Sequence, residues 1–97
     1  MLIEFDFIDE TLFQKHKVLI QYVTREIEDI VRKANVRSHL RWNDGEFEAL
    51  RLDFRVSMGE LPSLGIVRVY TPCSISDSEK LEHLIQETLK TIRLMVS

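Results

Sequence analysis

Hydrophobic and polar residues alternate most regularly between Val36 and Met58. Val36, Ser38, Leu40 and Trp42 share one parity, and Arg37, His39 and Arg41 the other. A second run sets Leu50, Leu52, Phe54, Val56 and Met58 against Arg51, Asp53, Arg55 and Ser57. A period of two is the mark of a half-buried strand, so two strands are predicted, each with one apolar side. Asn43-Asp44-Gly45 lies between them. A two-residue turn would point the apolar rows in opposite directions, because a slip of one residue exchanges the faces of a strand. A three-residue loop, Asn43–Gly45, with Gly45 in the left-handed region, pairs Trp42 with Glu46, Ser38 with Leu50 and Val36 with Leu52. It keeps both rows on one side and is the predicted hairpin.

Upstream, Ile3, Phe5 and Phe7 alternate with Glu4 and Asp6, which predicts a short edge strand whose acids face water. Asp9 is a candidate N-cap. From Glu10 to about Asn35 the positions Leu12, His16, Leu19, Ile20, Val23, Ile27, Ile30, Val31 and Ala34 recur at steps of three and four, predicting one long amphipathic helix. Val18 and Tyr22 make a smaller stripe beside it, expected to widen the buried face or to meet a second subunit. Downstream of the hairpin, the two glycines and Pro62 of Gly59–Gly65 predict an irregular connection. Its Leu61 and Leu64 are expected to fold under the sheet or to form an exposed recognition loop. Ile66–Thr71 is the next predicted strand, apolar on both sides except at Arg68. Ser76-Asp77-Ser78-Glu79 has the form of a capping box. It opens a last helix with Leu81, Leu84, Ile85, Thr88, Leu89, Ile92, Met95 and Val96 on one side.

The resulting order, β-α-β-β-β-α, predicts an α+β two-layer sandwich: a mainly antiparallel sheet with two helices packed on one face and the other face open. This order resembles that of double-stranded RNA-binding domains, whose αβββα core would span Glu10 to Val96, and of ribosome-associated hibernation factors, which add the first strand. Where the RNA-binding domains carry a lysine cluster at the start of the last helix, this chain has Ser76-Asp77-Ser78-Glu79-Lys80.

Ninety-seven residues make one domain, 1–97, large enough to bury a core without disulfides. The lone Cys73 suits a reducing, cytoplasmic setting. No apolar run reaches the roughly 18 residues of a membrane span, and the acidic start of the chain is unlike a signal peptide. The net charge of −3 is unevenly spread. Five acids and five bases fall within residues 36–71, and all five of those bases are arginine.

Candidate chemistry follows from that distribution. Arg37, His39, Arg41, Arg51 and Arg55, with Phe47, collect on the uncovered side of the predicted hairpin, with Asp53 as the one acid of the row. Arginines on paired strands take carboxylates or phosphates bidentately, and Phe47 or Tyr70 could stack on bases. Asp53, Glu48 and acids of the first strand could instead neutralise the row. Cys73, just ahead of the last helix, has no base near it in sequence and is expected to be an inert thiol. His16, His39 and His83 lack metal-ligand spacing, and no phosphate loop or catalytic triad pattern occurs. No enzyme activity, metal or other cofactor is expected. The expected function is a small interaction domain binding a protein partner through an open sheet face or edge strand, with a homodimer as one form. Binding of RNA or single-stranded DNA on the arginine face is the alternative.

Overall fold

A computed structural model describes residues 1–44, 50–58, 61–67 and 78–96, with side-chain surroundings for 1–44, 50–56 and 82–96. The elements are β1 (Leu2–Asp6), α1 (Glu10–Lys15), α2 (Lys17–Ala34), β2 (Arg37–Asp44), β3 (Leu50–Met58), β4 (Leu61–Val67) and α3 (Ser78–Val96). The four strands form one mixed sheet in the order β1-β2-β3-β4. β1 runs parallel to β2, and the other two pairs are antiparallel. The α+β class and the edge position of the first strand agree with the sequence pattern.

The core lies between the helices and one side of the sheet. Leu40, Trp42, Leu50, Leu52 and Phe54 are fully buried, and Ile20, Val23, Ile27 and Val31 of α2 close over them with Ile85, Leu89, Ile92 and Val96 of α3. Each such side chain taken from water contributes about 1.5–3 kcal/mol, so this one cluster supplies most of the cohesion. Two polar groups inside it are paired, while the Ser38 hydroxyl, on the core-facing row of β2, is buried without a partner among the described residues. The indole N–H of Trp42 donates to Thr24 Oγ1 at 3.0 Å, tying β2 to the middle of α2. On α3, the Thr88 hydroxyl donates back to the Leu84 carbonyl at 2.8 Å.

Three expectations are corrected. The hairpin pairs Trp42 with Leu52, Leu40 with Phe54 and Ser38 with Val56, and pairing continues through Asn43 and Asp44, so its connection is residues 45–49, not Asn43–Gly45. The expected register would have set Leu40 opposite Glu48 and Trp42 opposite Glu46, burying acids against the core. The observed one stacks apolar residues on apolar residues, at the cost of a longer loop. Both apolar rows still share a face.

The long helix is broken at His16, giving three helices where two were expected. The His16 N–H is shared between the Leu12 and Phe13 carbonyls at 3.2 Å each, and the His16 carbonyl accepts from Ile20 N at 2.9 Å, so the ladder bends without being lost. The bend lets α1 lay Phe13 against Phe5 and Phe7, at centroid distances of 5.6 and 5.4 Å, while α2 continues over the inner strands. Asp9 caps α1 as expected, accepting from Thr11 N and Thr11 Oγ1, and these bonds hold its carboxyl below the usual range. Asn35 ends α2 in the left-handed conformation, φ 54°.

The last strand starts earlier than expected. β4 takes in Leu61–Gly65, expected to be irregular, and pairs from Met58 opposite Leu61 to Leu52 opposite Val67. Pro62 is tolerated because β4 is an edge, where one side of the strand needs no donor. Gly65 pairs with Phe54. The side chains of Leu61 and Leu64, residues 68–71 and the start of the capping box at Ser76 lie outside the described residues.

Two tests address this packing. Thr24→Val leaves a buried indole N–H without an acceptor and is expected to cost about 1–3 kcal/mol in denaturant unfolding, while Thr24→Ser stays close to wild type. Burial, aided by the Lys15 charge, holds the His16 imidazole below its ordinary value of 6.5. The unfolded chain then binds a proton that the native state resists. Stability is complete above about pH 6.5 and declines as acidification passes through the depressed native value. Urea melts across that window should show the decline in wild type and a flatter profile in His16→Gln.

Candidate functional site

The side of the sheet away from the helices is built by alternation. Arg37, His39, Arg41 and Asn43 on β2 and Arg51, Asp53 and Arg55 on β3 have the parity opposite to the core rows. The parallel register sets Leu2, Glu4 and Asp6 of β1 beside His39, Arg41 and Asn43. Five of the six expected site residues, Arg37, His39, Arg41, Arg51 and Arg55, thus come together on one face. Phe47 lies outside the described residues, as do Tyr70 and Cys73.

The row is largely neutralised within the subunit. Arg41 forms an ion pair with Asp6. Glu4 Oε1 stands 3.2 Å from His39 Nε2 but off its hydrogen-bonding direction, leaving that nitrogen and Arg41 Nε as buried atoms without a hydrogen-bond partner among the described residues. Arg51 Nε donates to Asp53 Oδ1 at 2.9 Å, and Asn43 Nδ2 donates to Asp53 Oδ2 at 3.1 Å. Asp53 and Asn43 are each only 7% exposed, so this polar trio is a built part of the sheet rather than a solvated fringe. Arg37 and Arg55 are exposed and form no ion pair among the described residues. They are diagonal neighbours, since Arg37 pairs with Ser57 and Arg55 with His39.

Among the strand residues whose surroundings are described, those of β1 are the most accessible. Four of its five residues are exposed, and Leu2 and Phe5 retain 58% and 53% of their surface. Ile8, in the following connection, is 95% exposed. An edge strand presents unpaired backbone groups, and β1 has no proline or lysine to discourage pairing. β4, the other edge, has Pro62.

Sequence reasoning missed the part played by Asp44. Read as a turn residue, it ends β2 and accepts from Ile8 N at 3.2 Å and Asp9 N at 2.9 Å, clamping the β1–α1 connection to the sheet. The only sequence signal was an acid next to a turn, which is too common to single out. Val18 and Tyr22 are exposed on α2, and His83 is exposed on α3. Among the described residues no cluster of potential metal ligands occurs, and no helix is long and apolar enough to cross a membrane.

The arrangement defines an α+β domain in which, among the described residues, the helices cover one face of the sheet. Comparisons with protein-family models, curated proteins and solved structures find no match.

Asp53→Ala should cost about 1–3 kcal/mol, because it strips buried Asn43 and half-buried Arg51 of their acceptor. Arg55→Ala should stay within about 0.5 kcal/mol of wild type. Paired urea titrations measure both.

Proposed function

We propose that the protein is a non-enzymatic interaction domain that binds a protein partner at the β1 side of its sheet, where the free strand edge and the uncovered face meet. The observation that carries this reading is the exposure of β1. Backbone donors and acceptors along its outer border are joined by apolar Leu2, Phe5 and Ile8, and the strand has no proline or lysine. Strand addition to such an edge takes affinity from main-chain hydrogen bonds and specificity from alternate side chains.

The second reading, binding of RNA or single-stranded DNA, is supported by Arg37 and Arg55. Their diagonal placement suits two phosphates or one phosphate held from both sides. It is the weaker reading, since the other three cationic residues of the row stand against Glu4, Asp6 and Asp53.

A photo-crosslinking residue at Leu2 and another at Arg55, used in extract of the source cells, separate the two. The first reading expects a discrete protein adduct from position 2 that excess unlabelled wild type competes away. The edge variant Leu2→Lys/Ile8→Lys, changed only at exposed positions, should fail to compete. A nuclease-sensitive adduct from position 55, with none from position 2, favours the second reading.

A further inference from the structure

Resting on the edge-strand reading, we infer that β1 selects by charge: the segment that adds to its outer edge is an extended polypeptide in which basic and apolar residues alternate.

The inner edge of β1 already carries such a strand. On the helix side Ile3 and Phe5 lie directly opposite Leu40 and Trp42, and on the other side Glu4 lies opposite Arg41, with Asp6 reaching diagonally to Arg41 and Glu4 standing diagonally near His39. Acids thus meet bases on one face, and apolar residues meet apolar residues on the other. The outer edge of β1 offers the same side chains to a second neighbour. Glu4 and Asp6 keep 49% and 58% of their side-chain surface. Each has a carboxylate oxygen, Glu4 Oε2 and Asp6 Oδ1, with no partner among the described residues. On the helix side, half-exposed Phe5 rests edge-on against Phe13 of α1, so an apolar residue placed next to it would extend an existing aromatic contact.

The same charges argue against a second copy of this chain. An antiparallel two-fold pairing centred on Glu4 sets that acid against itself. Centred on Phe5, it sets Glu4 against Asp6. Centred on Ile3, it covers Glu4 with Leu2. Like charges directly opposite one another weaken a strand pair, whereas opposite charges support it.

The test uses the full chain labelled with ¹⁵N and three short capped peptides. All three have valine at alternate positions, with lysine, serine or glutamate at the positions between. NMR titration gives the affinities, and hydrogen exchange of the β1 amides locates binding. The lysine peptide should bind about tenfold more tightly than the serine peptide, slow exchange within Leu2–Asp6, and weaken as salt is raised. Glu4→Gln/Asp6→Asn should lose that preference with exchange along the β2–β3 ladder unchanged. Serine or glutamate peptides protecting β1 as strongly as the lysine peptide would overturn the charge selection and leave the edge reading standing. No protection of β1 by any of the three overturns both. Protection that appears without peptide as protein concentration rises assigns the edge to a second copy and overturns the inference.

Discussion

The hydrogen bond from the Trp42 indole to the Thr24 hydroxyl is the constraint around which the two layers are arranged. Trp42 lies on an inner strand and is wholly buried, so its N–H must find an acceptor inside the protein. Thr24 can serve only if α2 is turned with that residue toward the sheet. That rotation brings Ile20, Val23, Ile27 and Val31, neighbours on the same side of the helix, onto Leu40, Leu52 and Phe54. A hydrophobic contact alone would tolerate several helix orientations, but a buried donor tolerates few. α3 then covers the remaining width of the layer with Ile85, Leu89 and Ile92.

With both long helices committed to one side, the opposite side becomes a separate electrostatic problem, and the protein solves most of it internally. Asp53 is buried between Arg51 and Asn43, while Arg41 and His39 stand against the acids of β1. The cationic row on this face is in this way balanced by Asp53 and by acids brought from the start of the chain. The surface left over is not a broad cationic plate. Among the described residues it is a pair of exposed guanidinium groups, Arg37 and Arg55, and an accessible edge whose acids are engaged on one side only. The proposed recognition by main-chain pairing, with charge as the discriminator, rests on that remainder.

Much of this arrangement was legible in the amino-acid pattern. Alternation through Leu40 and Trp42 and through Leu52, Phe54 and Val56 identified both inner strands and their core-facing rows. The steps of three and four from Ile20 to Val31 and from Ile85 to Val96 identified the covering helices, and Asp9 marked a helix start. The errors fall where local preference and long-range packing disagree. Gly45 invited a tight turn, but the register obeys the match of apolar rows, which a periodic pattern leaves free to slide by an even number of residues. Pro62 and two glycines signalled a loop, yet an edge strand lacks the donor requirement that makes proline unfit. The bend at His16 has no breaker residue to announce it, since it comes from α1 laying Phe13 against Phe5 of β1 and Phe7 just beyond it.

Periodicity and composition alone determined the class of fold, the identity of its core and the existence of an arginine-bearing strand face, because these depend on spacing along the chain. Which acid meets which base, and therefore how much positive charge remains for a partner, was decided only in three dimensions. Asp6 and Arg41 are 35 residues apart in sequence and become neighbours through the parallel pairing of β1 with β2. No local pattern encodes that meeting. It arises because the α1–α2 crossover returns the chain alongside its own beginning, and it leaves β1 with one edge occupied and the other open.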